Sequence, residues 1–246
     1  MNEQTLDKLI QMRFTVFAES YRKQTEDPSF DDLSFHERIS LLVDAEFDSR
    51  HNHKILRLLQ NANPASRQAQ MENIEYFTDR KLNKGLLSEL STNTYLRQHH
   101  NITLTGATGT GKTFIACALG TKACRDHYTV RYIRLPELFA DFELARIQNT
   151  YKKMMKQYKN VDLVILDEFL LVTTSKTEQR DLLKLMEARC GKGSIVFCTQ
   201  YSAEGWHLKL GSGALADSIL DRIIPSSYKI TIEGKESMRQ RHGLKQ

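Results

Sequence analysis

Eight consecutive residues, Gly106-Ala107-Thr108-Gly109-Thr110-Gly111-Lys112-Thr113, restrict this 246-residue chain more than any other stretch. They fit the pattern GxxxxGK[ST]. Strand-like Ile102-Thr103-Leu104-Thr105 precedes them, and a helical pattern runs from Lys112 to Asp126. A glycine-rich loop between a strand and a helix is a phosphate cradle. Its glycines let backbone N–H groups turn inward around a β-phosphate, and the helix N-terminus adds positive potential. In such a loop Lys112 bridges the β- and γ-phosphates, and Thr113 offers its hydroxyl to Mg²⁺.

Other segments complete the pattern. Val161 to Leu166 is a continuous apolar strand of the kind buried on both faces of a parallel sheet, and it runs into Asp167-Glu168. Beside a phosphate loop, Asp167 is placed to hold Mg²⁺ through water, and Glu168 to polarise an attacking water. Such a pair favours hydrolysis over phosphoryl transfer to a small substrate. A further buried strand, Ser194 to Thr199, is followed by Gln200. A polar residue there sits between Glu168 and the γ-phosphate, and Thr199 is the candidate for orienting the water; a plain polar turn is the alternative. Arg222, late on a helical stretch from Ala214 to Ile224, reaches a neighbouring subunit's γ-phosphate or pairs on the surface with Asp217 or Asp221.

Between these segments, Val130 to Arg134 reads as a strand, Pro136 suits a first helical turn, Thr177 to Arg189 reads as a helix, and Tyr228 to Ile232 alternates as a last strand. Strands alternating with helices argue an α/β fold with a mainly parallel sheet. Residues before Pro64 read instead as three short helices. Leu6, Leu9, Ile10, Phe14 and Phe17 share one helical face. Ser34 to Glu37 is a capping box opening a second helix, and Ile55, Leu58 and Leu59 mark a third that stops near Asn63-Pro64. Pro64 to about Gln70 reads as a linker. The expected organisation is a helical module over residues 1–67 and an α/β domain over 68–246.

Composition excludes several classes. With 40% apolar and 26% charged residues the chain can bury a core. No apolar run approaches the roughly 18 residues of a membrane helix. The opening MNEQTLDKLIQ lacks the features of a secretory signal, and Cys117, Cys124, Cys190 and Cys198 show no CxxC spacing. A cytoplasmic protein with reduced thiols is expected. The net charge of +5 permits an anionic partner. From Arg146 through Lys159 the charges are Arg146, Lys152, Lys153, Lys156 and Lys159, with no acid among them. Such a row either tracks phosphates or forms a solvated helix face.

Ordered as phosphate loop, strand-end acids, polar strand end and late arginine, the motifs resemble those of the AAA+ ATPases. Asp27 to Arg50, Gly106 to Cys124, Val130 to Leu138 and Ala214 to Ile224 further resemble the IstB-type transposition helpers of the IstB/DnaC-like clade. Phe169-Leu170 departs from the Trp-Gly frequent there, and Glu168 stands where many members have Asp. The resemblance implies an AAA+ domain with a reduced or absent lid that binds ATP and Mg²⁺. It implies a homo-oligomer on duplex DNA, a ring or spiral, that bends its target and recruits a transposase. A replicative helicase loader is the alternative. It also implies an extra helix between the second and third sequential strands, which is where the basic run lies. Arg239 takes the place of an arginine facing ATP, or is a surface charge. Trp206 is expected in the core.

Overall fold

The computed structural model describes residues 3–234 and 236–243. The chain divides into two compact units, residues 1–57 and 58–246.

In the first unit, α1 (Glu3–Gln11) and α2 (Thr15–Glu26) replace the single helix expected over Leu6 to Phe17. Arg13 takes a left-handed conformation, with φ of 62°, and breaks the run. A second correction concerns α3 (Phe35–Ala62), whose 28 continuous residues merge the second and third expected helices. No glycine or proline interrupts that stretch, so nothing stops propagation until Asn63 turns left-handed at φ 47° ahead of Pro64. Its start is the expected capping box: Glu37 Oε2 accepts from Ser34 N at 2.8 Å, and Ser34 Oγ accepts from Glu37 N at 3.3 Å. Glu46, only 6% exposed, accepts from Phe17 N at 2.9 Å and Arg50 Nε at 2.6 Å, fastening α2 to α3.

The second unit begins inside the last turns of α3. Leu58 and Ala62 are buried in its core, as is Ala69, at 0% exposed. Within Pro64 to Gln70, Ala69 is buried while Ala65, Arg67 and Gln68 are exposed, and the two compact units divide after Arg57. The elements that follow are α4 (Lys84–Leu90), α5 (Thr94–Arg97), β1 (Asn101–Gly106), α6 (Lys112–Arg125), β2 (Val130–Arg134), α7 (Leu135–Ile147) and α8 (Tyr151–Lys159). Then come β3 (Leu163–Asp167), α9 (Lys176–Arg189), β4 (Ser194–Thr199), α10 (Ala203–Lys209), α11 (Ala214–Ile223), β5 (Ser227–Ile232) and α12 (Met238–Arg241).

The strands form one parallel sheet in the order β2-β3-β4-β1-β5. Alternation fills both faces. Leu163 and Ile165 of β3, with Val196 and Cys198 of β4, join the core that holds α6. Val164, Leu166, Ile195 and Phe197 join the core under α7 to α11. A strand with two dry faces must be apolar throughout, which is why β3 reads as an unbroken hydrophobic run. Parallel order brings the C-terminal ends of β1, β2, β3 and β4 to one edge, where crevices of such sheets bind ligands.

Arg189, 1% exposed, anchors the opposite edge. Nη1 donates to Tyr158 O and Val161 O, and Nη2 to Asp162 O and Ser194 O, at 2.6–3.1 Å. One guanidinium thus ties the end of α8 to the starts of β3 and β4. Burial lowers its pKa to about 10, so it stays charged at neutral pH.

Candidate functional site

The loop after β1 turns on two glycines. Gly109 and Gly111 take φ of 83° and 91°, and a Cβ on Gly109 would stand 2.2 Å from Ser237 Oγ. Gly111 caps α6, so the N–H groups of its first turn open into the loop. Lys112 Nζ donates to Gly106 O and Ala107 O, each at 2.8 Å, across the loop mouth. Burial lowers its pKa, opposed by the neighbouring Cys198 and Asp167.

Thr113 Oγ1 donates to Asp167 Oδ2 at 2.7 Å, joining the loop to the end of β3. The same oxygen accepts from Tyr132 OH at 2.8 Å, and Oδ1 accepts from Glu168 N, also at 2.8 Å. Burial, then Asp167, pushes the Tyr132 phenol well above its usual pKa, so it stays a donor. Glu168 adopts φ of 52°. A non-glycine residue held there stores on the order of 1–3 kcal/mol. Phe169 N, donating to Cys198 O at 2.8 Å, fixes the turn against β4. The Glu168 side chain projects into the cleft, where Arg134 Nε stands 3.7 Å from its Oε1.

These residues line a cleft of about 670 Å³ together with Ser66, Thr108, Thr199, Gln200, Met238, Arg239 and His242. Its oxygen donors suit a hard cation. Among the described residues no cluster of three His, Cys, Asp or Glu side chains could hold a metal unaided. The combination fits Mg²⁺, which takes few protein ligands and shares its shell with phosphates and water.

Thr199 lies in the cleft wall, but its hydroxyl is occupied. It donates to Phe169 O at 3.1 Å and accepts from Trp206 Nε1 at 2.9 Å and Tyr201 N at 3.2 Å. One donor and two lone pairs are the whole capacity of a hydroxyl. Gln200, exposed and adjacent, lines the cleft and makes no hydrogen bond among the described residues. Trp206 is 2% exposed and packs edge-on against Phe169, as core.

Arg239 lies on the cleft wall. Its segment is docked on the phosphate loop: Met238 N donates to Gly109 O at 2.9 Å, and Arg241 Nη2 meets Asp79 at 2.5 Å. Arg80, 4% exposed, braces the loop from below by donating Nη2 to Thr110 O at 2.8 Å. Arg222 does not line the cleft. Nη1 donates to Ser218 O at 2.7 Å and Nη2 to Glu187 at 3.3 Å, so its acidic partner is neither Asp217 nor Asp221.

The basic run divides. Lys152, Lys153, Lys156 and Lys159 are exposed on α8 and make no ion pair among the described residues, while Tyr151, Met154, Met155 and Tyr158 pack inward. Arg146 does not belong with them. Its guanidinium pairs with Asp181, 2% exposed, and lies 4.8 Å over the Tyr151 ring, whose OH donates to Asp181 at 2.7 Å. Arg146 secures α7 and α8 to α9, and its charge is neutralised within the fold.

Tyr132, Arg134 and Arg80 were not singled out by sequence as site residues. The first two sit on a short strand without a motif, although their i, i+2 spacing puts both on one face.

The profile of the IstB-like ATP binding protein family matches residues 7–246. A putative insertion sequence ATP-binding protein of Sinorhizobium fredii is 34% identical over 236 residues, 96% of each chain. A putative insertion sequence ATP-binding protein of Pseudomonas fluorescens is 34% identical over 200 residues, covering 81% of this chain and 87% of that protein. Among solved structures, AMPPCP-bound DnaA from Aquifex aeolicus superposes with a TM-score of 0.59 at 20% identity, over 72% of this chain and 53% of that one. The DnaC helicase loader superposes with a TM-score of 0.57 at 15% identity, over 67% and 97%. These two likenesses establish the fold, that of AAA+ P-loop ATPases.

Proposed function

The chain belongs to the IstB-like ATP-binding protein family, and from that footing we propose that it is the ATP-driven helper of a transposition reaction. In this reading it assembles on duplex DNA, remodels it and engages a transposase. At the coarser level it is an AAA+ ATPase associated with insertion sequences.

The observation that carries the catalytic reading is the Thr113–Asp167 hydrogen bond, which puts the phosphate loop and the strand-end acids in one cleft. The loop N–H groups and Lys112 bind the β- and γ-phosphates. Thr113 and Asp167 would hold Mg²⁺, which would neutralise phosphate charge. Glu168 takes the proton of the attacking water, and Gln200 orients that water. Arg239 faces the nucleotide from its own chain. Arg222, away from its own cleft, serves a neighbour's.

Charge distribution supports DNA binding through the second unit. Residues 1–57 hold 8 Lys and Arg against 11 Asp and Glu, so the chain's net +5 comes from the remainder. Lys152, Lys153, Lys156 and Lys159 supply ammonium groups that track phosphates without reading sequence. The acidic first unit, with exposed Phe35, Ile39, Val43 and Phe47 spaced one helical turn apart, suits a protein partner. Whole-length similarity to insertion sequence proteins favours a transposase over a helicase as that partner.

The test is ATP binding and hydrolysis with and without duplex DNA, parent against Lys112→Ala. The parent hydrolyses ATP and is stimulated by DNA, whereas the variant loses nucleotide affinity and DNA-bound assembly together. A Lys112→Ala protein that assembles on DNA with ATP like the parent contradicts the phosphate-site assignment.

A further inference from the structure

We propose that Tyr132 is a positioning residue for the cation site: by donating to Asp167 Oδ2 it confines the carboxylate to holding Mg²⁺ through water and sets the preference for Mg²⁺ over larger cations. The proposal rests on the nucleotide-site reading above.

A single carboxylate has a limited capacity to accept. Its two oxygens offer about four lone-pair directions. Thr113 Oγ1 and Tyr132 OH fill both on Oδ2, and Glu168 N takes one on Oδ1. With Oδ2 saturated, what Asp167 can still accept is limited to the Oδ1 side. Thr113 can give its proton to Asp167 while keeping a lone pair for a cation, so its bond is compatible with a loaded site. The Tyr132 bond has no such second use, and its effect is on Asp167 alone.

The direction of the phenol is itself fixed. Its proton goes to Asp167 Oδ2 at 2.8 Å, because a carboxylate oxygen accepts. Backbone pairing holds the geometry: β2 and β3 are in register with Ile133 opposite Leu166 and Arg134 opposite Asp167. Tyr132 is 9% exposed, so water does not readily replace its hydroxyl.

The consequence is selective. Mg²⁺ dehydrates reluctantly and is satisfied by carboxylates acting through its waters, whereas Ca²⁺ takes carboxylate oxygens directly, often two at once. A phenol occupying Oδ2 suits the first mode and obstructs the second. Losing a partner that orients a metal ligand typically costs about 10- to 100-fold in metal affinity or activity.

The experiment titrates Mg²⁺ and, separately, Ca²⁺ against binding of a fluorescent ATP analogue, for the parent and Tyr132→Phe. Phenylalanine keeps the buried ring and removes only the hydroxyl. The expected result is a Mg²⁺ midpoint raised about 10-fold or more, a narrowed preference for Mg²⁺ over Ca²⁺, and unchanged metal-free nucleotide affinity. A parental Mg²⁺ midpoint and parental selectivity in Tyr132→Phe overturn the proposal. So does a variant whose metal-free nucleotide affinity and ligand-free unfolding temperature fall in step with the midpoint, since that describes a merely structural tyrosine. If the parent binds nucleotide with no response to either cation, the site reading itself falls, and the role of Tyr132 with it.

Discussion

Trp206 donates its indole N–H to Thr199 Oγ1 at 2.9 Å, so the tryptophan of α10 claims the hydroxyl at the tip of β4. The neighbouring cleft side chain that makes no hydrogen bond among the described residues is Gln200, one residue further on. The two positions therefore fail differently when mutated.

Gln200→Ala should lower ATP turnover by about 10²-fold, the scale of losing one aligned polar group in a catalytic site, with little change in folding stability. Thr199→Val should do the reverse. It leaves the buried Trp206 N–H without an acceptor, costing about 1–3 kcal/mol. Chemical denaturation and turnover on the same two variants check this. A catalytic defect in Thr199→Val with full stability would restore Thr199 to the water.

Glu168→Gln should keep nucleotide binding and lose the base, cutting hydrolysis by about 10²- to 10⁴-fold. Long-lived ATP-bound complexes on DNA should accumulate, visible as slow dissociation after dilution. Normal turnover in this variant would place water activation elsewhere.

Replacing Lys152, Lys153, Lys156 and Lys159 with Ala should weaken duplex binding alike across sequences. It should also flatten the dependence of log affinity on log salt by roughly 0.9 for each phosphate no longer neutralised. Arg146→Ala should leave that slope unchanged, because its charge is already spent on Asp181. An unchanged slope in the quadruple variant makes α8 a solvated face.

The parallel sheet and the glycine-rich turn after β1 were legible in the sequence because both follow from local rules. A strand dry on both faces must be apolar, and a loop that turns backbone N–H groups onto phosphate needs glycine at Gly109 and Gly111. What was not legible depends on partners distant in sequence. Thr199 and Arg146 look free in a linear reading, yet Trp206 and Asp181 engage them across the fold. Tyr132 reaches Asp167 only because β2 pairs with β3, 35 residues away in the chain. The helix boundaries failed for a simpler reason: periodicity shows which face is apolar but not whether one helix or two carries it. α3 ran on for want of a breaker, and the first helix split at Arg13, where no sequence signal stood.

Arg222→Ala should bind ATP through its own Gly106–Thr113 loop yet hydrolyse it about 10³-fold more slowly, as when an arginine finger is withdrawn. Mixed with Lys112→Ala, which has a dead cleft and a good arginine, it should recover part of the activity that neither shows alone. A parental rate for Arg222→Ala on DNA would reduce Arg222 to the surface partner of Glu187.

If nucleotide and duplex DNA together drive assembly, sedimentation velocity on the full chain reads it most directly. With Mg²⁺, duplex DNA and a non-hydrolysable ATP analogue, the protein should sediment as a multi-subunit complex. It should return to smaller species when nucleotide is omitted or Lys112 is replaced by Ala. A chain that stays monomeric with both ligands present, or assembles equally well without nucleotide, contradicts it.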